Sequence, residues 1–149
     1  MRAFSLTLAL GMLFAVASGA GAQSNGVSYI AGNSVAAAFA KGAPLIETGT
    51  YKVHASHREA AGQAEVHERD TDIIYVLDGE ATFVTGGAVR DGRKTAAEEV
   101  RGAAIEGGET RTLTKGDVII VPAGTPHWFR DVQGTFLYYV VKVPDGGMR

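Results

Sequence analysis

Residues Gly116–Asp131 read Gly-Asp-Val-Ile-Ile-Val-Pro-Ala-Gly-Thr-Pro-His-Trp-Phe-Arg-Asp, and the fold is decided here. Val118 to Val121 is a run of four β-branched residues and predicts a short strand. Pro122 ends it, because proline cannot donate to a ladder, and Gly124 supplies the turn. The chain then re-enters a strand at His127, whose direction is set by the backbone. Phe129 shares that parity and should face the same cavity, whereas Trp128 and Arg130 should face away. A histidine delivered in this way suits either metal ligation or a hydrogen-bonded place in a metal-free pocket.

The same grammar repeats on either side. Leu45-Ile46, Tyr51 to His54, Ile73 to Leu77, Ala81 to Thr85, Arg111 to Leu113, His127 to Arg130 and Thr135 to Val143 are short and bounded by Gly, Pro or Asp. They are rich in β-branched or aromatic residues, which predicts an all-β domain, a sandwich or barrel of the jelly-roll type. The final run, Phe136 to Val141, reads as a strand covered on both faces. One short helix is expected ahead of the strands, over Asn33–Lys41, with Asn33 or Ser34 as its cap and Gly42 as its stop. Between Gly87 and Thr110 the composition turns polar, with nine charged residues and several glycines. It reads as a surface loop or a lid.

The first 22 residues carry Arg2, an apolar stretch from Phe4 to Val16 and the small-residue site Ala20-Gly21-Ala22, which predicts a secretory signal peptide. Export to the periplasm or the medium follows from that reading. The expected organisation is signal peptide 1–22, leader and short helix 23–42, β domain 43–144 and tail 145–149. Without Arg2 the chain has 13 basic against 16 acidic residues and no basic stripe, so nucleic acid is not an expected partner. No later stretch is long enough to span a membrane. There is no cysteine, so any metal must be held by nitrogen and oxygen, and thiolate chemistry is excluded.

The spacing G-x5-P-x-G-x2-H-x3-D in Gly116–Asp131 resembles the second signature of the cupin superfamily, in which Asn more often stands at the place of Asp131. The first signature, H-x-H, three or four residues, Glu, six residues, Gly, is matched in altered form. Gly79 and its six-residue spacer are intact, Asp72 stands for the Glu, His67 for the second histidine, and Glu65 for the first. The resemblance implies a double-stranded β-helical barrel, a homodimer, and one divalent metal held by histidines and a carboxylate inside the barrel. Activities in the superfamily range over dioxygenases, isomerases, decarboxylases and lyases, beside members that only bind or store.

Carried residue by residue, the resemblance makes His67, Asp72 and His127 metal ligands, with Glu65 as a fourth. Glu65 and His67 are two apart and point to one side of an extended strand. Either carboxylate changes the family's set: Glu65 is harder than imidazole, and Asp72 is one methylene short. Phe129 and His57 are the candidate pocket residues, His57 being a possible third nitrogen ligand if Glu65 does not bind. Two histidines and a carboxylate with open positions suit iron or manganese, with zinc as competitor. The function expected is metal-dependent binding or transformation of a small polar organic molecule. The rival is a binding or sensing module whose altered site has lost catalysis. No G-x-S-x-G elbow, phosphate loop, dinucleotide fingerprint or H-E-x-x-H helix is present.

Overall fold

A computed structural model describes residues 26–146; the expected signal peptide lies outside them. The described residues form one helix, α1 (Gly32–Phe39), and eleven strands: β1 (Ala43–Glu47), β2 (Lys52–Arg58), β3 (Ala64–His67), β4 (Asp70–Thr85), β5 (Ala88–Arg90), β6 (Arg93–Ala96), β7 (Glu99–Gly102), β8 (Ala104–Glu106), β9 (Glu109–Thr114), β10 (Val118–Val121) and β11 (His127–Pro144). All pairings are antiparallel. The all-β expectation with one N-terminal helix holds.

The spine is the β4–β11 ladder, which runs from Asp70 opposite Pro144 to Thr85 opposite His127. In sequence each of these strands reads as two, broken near Gly79 and near Gly134. The structure bends them instead of ending them. Gly79 takes φ +85, and a Cβ there would collide with the carbonyl oxygen of Thr135. Only glycine lets the two backbones cross so closely. The opposing register slips between Gln133 and Leu137, a bulge that turns the strand without losing its partner.

Alternation along the spine separates two faces. Ile74, Val76, Ala81 and Phe83 on β4 meet Phe129, Phe136, Tyr138 and Val140 on β11 in one buried cluster, where Phe83 and Phe136 have no exposure at all. Each such phenylalanine contributes about 1.5–3 kcal/mol by leaving water. Alternate residues point outward. Tyr139 is covered there by Phe39 of α1, with ring centroids 4.9 Å apart and edge to face. Ile73, Tyr75, Val118, Ile120 and Val143 stay exposed, so the final strand is covered on both faces only where the helix lies.

The helix begins slightly ahead of its expected start. Ala31 occupies the cap position with no side-chain bond, and Asn33 Oδ1 instead accepts from the Ser34 N–H at 2.9 Å. Gly42, with φ +63, turns the chain into β1.

The polar segment from 87 to 110 departs most from expectation. It is not an irregular loop but two nested hairpins. β7 pairs with β6 on one side and with β3 on the other, placing Glu65 opposite Arg101 and His67 opposite Glu99. β5 pairs with β8. Val89 and Ile105 from that hairpin pack on Ala64, Val84 and Trp128 in a second, smaller core. The segment is anchored by apolar burial despite its charge.

Candidate metal centre

Three strands meet at one point of the barrel. His127 opens β11 and is the Cα partner of Glu65 on β3. Two residues on, His67 returns to the same face of β3. One donor atom from each of Glu65, His67 and His127 falls within a mutual 4.8 Å. They line a cavity of about 380 Å³ together with Asp72, Phe129 and Lys142.

The donor chemistry fits a cation. His127 is 5 % exposed, and its Nδ1 lies 3.1 Å from the Thr125 carbonyl oxygen. A carbonyl only accepts, so Nδ1 carries the proton and Nε2 keeps its lone pair toward the cavity. Burial pushes the His127 pKa down, against the pull of that bond and of the Asp72 and Glu65 charges, so the ring is neutral at neutral pH. For Glu65 burial favours the neutral acid, but the contact with His67 and the charges of Arg101, His127 and His67 outweigh it and hold the pKa at about 2. An ionised carboxylate and a neutral imidazole lone pair are the forms a divalent ion takes. His67 Nε2 stands 3.4 Å from Glu65 Oε2 and 3.6 Å from Asp72 Oδ2.

Asp72 reaches the same cluster but is already engaged. Its two oxygens accept from Lys142 Nζ at 2.8 and 2.7 Å, and its Oδ2 is 3.8 Å from His127 Nε2. Lys142 is its direct cross-strand partner, so ladder register sets the pair. Phe129 lies in the cavity wall as expected from its parity, stacked on Phe83, Phe136 and Tyr138. Trp128 faces away and donates from Nε1 to the Gly62 carbonyl at 2.8 Å.

His57 is not brought to the site. It lies on the opposite face of β2, where Nδ1 sits 2.9 Å from the Phe39 carbonyl oxygen under the helix. Residues 54, 56 and 58 of β2 face the cavity, so strand parity sends 57 outward. It cannot stand in for Glu65.

Sequence reading missed three charged groups of the cavity. Glu99 and Arg101 come from the polar insertion: Arg101 Nη1 donates to Glu65 Oε1 at 2.9 Å and its Nε pairs with Glu99, whose Oε2 is 3.8 Å from His67 Nδ1. Alternation in Glu99-Val100-Arg101 is a strand signal, but too short to stand out among neighbouring charges. Lys142 is the third. Lys142 follows the parity of Tyr138 and Val140, a signal available in the sequence.

The cupin family profile matches residues 18–149. No curated protein sequence matches the chain. Among solved structures, the Cnp3 cupin domain of Schizosaccharomyces pombe is similar with TM-score 0.52 and 13 % identity, covering 70 % of this chain and 64 % of that one. A Bacillus halodurans protein, BH2720, is similar with TM-score 0.50 and 15 % identity over 68 % and 67 % of the two chains. A Klebsiella pneumoniae protein with a double-stranded β-helix domain has TM-score 0.49 and 18 % identity over 70 % and 72 %. At such identities the likeness concerns the fold alone. Matched by the family profile over nearly all its length and built as a bent double-layered β-barrel with histidines inside, the chain belongs to the cupin family.

Proposed function

We propose that this protein is an exported cupin, homodimeric, that holds one divalent ion of iron, manganese or zinc in its barrel and binds or transforms a small polar organic molecule beside it. The observation that carries the reading is the convergence of Glu65, His67 and His127 within a mutual 4.8 Å on one wall of an open cavity. Glu65 and the Nε2 atoms of the histidines would hold the ion, and Asp72 stands beside them in the grip of Lys142. When bound, the ion supplies Lewis acidity, enough to polarise a carbonyl or acidify a water. The protein's own part is to keep His127 neutral and to hold Glu65 ionised. Oxidation, isomerisation and lyase chemistry of a small oxygenated molecule all lie within this arrangement. Support for the dimer comes from the exposed apolar face of Ile73, Tyr75, Val118 and Ile120, which cover two paired strands.

A second reading is a non-catalytic binding or sensing cupin. It is favoured by the internal pairing of both altered positions: Glu65 is satisfied by Arg101, and Asp72 by Lys142, without any ion.

Metal content of the purified protein, measured by inductively coupled plasma mass spectrometry, separates the two. The first reading expects near-stoichiometric metal that is lost in both His67→Ala and His127→Ala. Failure to take up Fe(II), Mn(II) or Zn(II) on reconstitution would sink it and leave the binding module. Sedimentation velocity of Ile120→Lys tests the dimer, which that charge should dissociate.

A further inference from the structure

We infer that Arg58 and Arg101 form a carboxylate-binding subsite beside the metal centre, and that Glu65 couples the two, so that a small organic acid and a divalent ion strengthen each other's binding. The inference rests on the metal reading above and names the ligand class that goes with it.

Arg58 is held as a fixed plane. Its guanidinium carbon lies 4.7 Å over the centre of the Phe129 ring, and its Nε donates to the Tyr138 hydroxyl at 2.9 Å. A stacked, hydrogen-bonded guanidinium has lost its rotamer freedom before any ligand arrives. Gly62 leaves the room it needs: a Cβ at that residue would come within 2.6 Å of Arg58 Nη1. Among the described residues the terminal nitrogens, the edge that pairs with carboxylates two bonds at a time, make one long ionic contact, Nη2 to Glu65 Oε1 at 3.8 Å.

Glu65 divides its oxygens between two territories. Oε1 faces Arg58 at 3.8 Å and Arg101 at 2.9 Å, while Oε2 faces His67 at 3.4 Å. One oxygen belongs to the arginines and the other to the imidazoles. A cation among the imidazoles draws Glu65 away from the arginines, leaving Arg58 short of an anion and Arg101 with Glu99 alone. A carboxylate placed on the arginines releases Glu65 toward the imidazoles.

Charge balance points the same way. The cavity's ionised side chains are Arg58, Arg101 and Lys142 against Glu65, Asp72 and Glu99. The set is neutral as it stands, so a divalent ion brings uncompensated positive charge into a partly enclosed space. An organic anion restores the balance, whereas a neutral sugar or alcohol does not. Linkage makes the effect reciprocal: whatever factor the acid adds to metal affinity, the metal adds to acid affinity.

The test is Mn(II) binding followed by the electron paramagnetic resonance of the free ion, with lactate and its neutral isostere lactamide as probes and with lactate's own chelation measured in protein-free controls. Lactate at saturation is expected to tighten Mn(II) at least about fivefold, an ordinary size for coupled sites, and lactamide to leave it unchanged. Arg101→Met removes the competitor for Glu65, so it should bind Mn(II) more tightly without lactate and lose most of the response to it. Gly62→Ala changes no charge and displaces only the guanidinium end of Arg58, so it should fold normally and show a reduced lactate effect. Equal Mn(II) affinity with and without lactate would overturn the proposal and leave the metal centre standing. A lactate effect that survives in Arg58→Met and Arg101→Met would overturn it too, since the acid would then be binding through the metal alone. If Mn(II) does not bind in any condition, the metal reading fails; lactate-induced shifts of the Arg58 Nε–H resonance, absent in Arg58→Met, would then keep the subsite without its coupling, and no shift would end both.

Discussion

The cavity has an aromatic side and a charged side, and they are held by different physics. Phe83, Phe129, Phe136 and Tyr138 form a continuous stack with centroid separations from 4.5 to 5.6 Å. Each ring has one set of neighbours and no substitute for them. On the charged side the central groups each have several partners: His67 faces Glu65, Asp72 and Glu99, and Glu65 faces His67, Arg58 and Arg101. Packing of the first kind fixes a shape. Pairing of the second kind can be redistributed when an ion or a ligand enters, without moving a strand.

The largest effect should come from breaking the aromatic side. Phe83 is fully buried and stacked on Phe129, so Phe83→Ala should cost about 3–5 kcal/mol in urea unfolding, the usual range for a core phenylalanine. Next is Lys142→Met, which leaves Asp72 buried without its cation. A loss of about 3 kcal/mol is expected, most of it recovered in the double variant Lys142→Met with Asp72→Leu, where no charge is stranded. If the double variant is no better than the single one, the pair matters for more than its own neutrality.

A smaller effect comes with pH. The His127 pKa is lowered in the fold, so below the ordinary histidine value of about 6.5 the unfolded chain binds a proton that the folded one refuses. Stability of the metal-free protein should therefore be full above about pH 6.5 and fall as pH drops below it, by at most about 1.4 kcal/mol per unit. The depressed Glu65 value of about 2 acts in a different window: its contribution is full above the carboxylate's ordinary value and is lost as pH falls toward 2. Thermal melts between pH 7 and 5 thus lie clear of the Glu65 window, and His127→Phe should flatten them. The smallest effect sharpens the contrast by location. Arg69 and Glu98 make an ion pair at 3.3 Å on the open surface, and Arg69→Ala should change stability by no more than about 0.5 kcal/mol.

What could be read in advance divides along the same line. Strand identity and parity were legible wherever β-branched and aromatic residues alternate, which is why His127 and Phe129 face the cavity and Trp128 does not. Continuity was not legible, because Gly79 looks like a strand end and is in fact a crossing point. His57 was misplaced for want of register: only the pairing of β2 with β11 shows which of its residues face inward. The charged wall was the least legible part. A run of Glu, Arg and Lys has the composition of a solvated loop, and nothing local reveals that Val89 and Ile105 will tie it to the barrel beside β3.

The last strand bears on how the molecule is made. β11 pairs with β2, β3 and β4, and among the described residues no other strand joins these three to one another. As the ribosome extends the chain, the earlier strands emerge with their common partner still unsynthesised, so the barrel cannot close progressively from its N-terminal side. Closure waits for residues 127–144 and then draws together segments distant in sequence, a topology that folds slowly and late. Until that moment the nascent chain keeps its apolar alternation open to solvent, and whatever escorts it must hold it until those residues emerge.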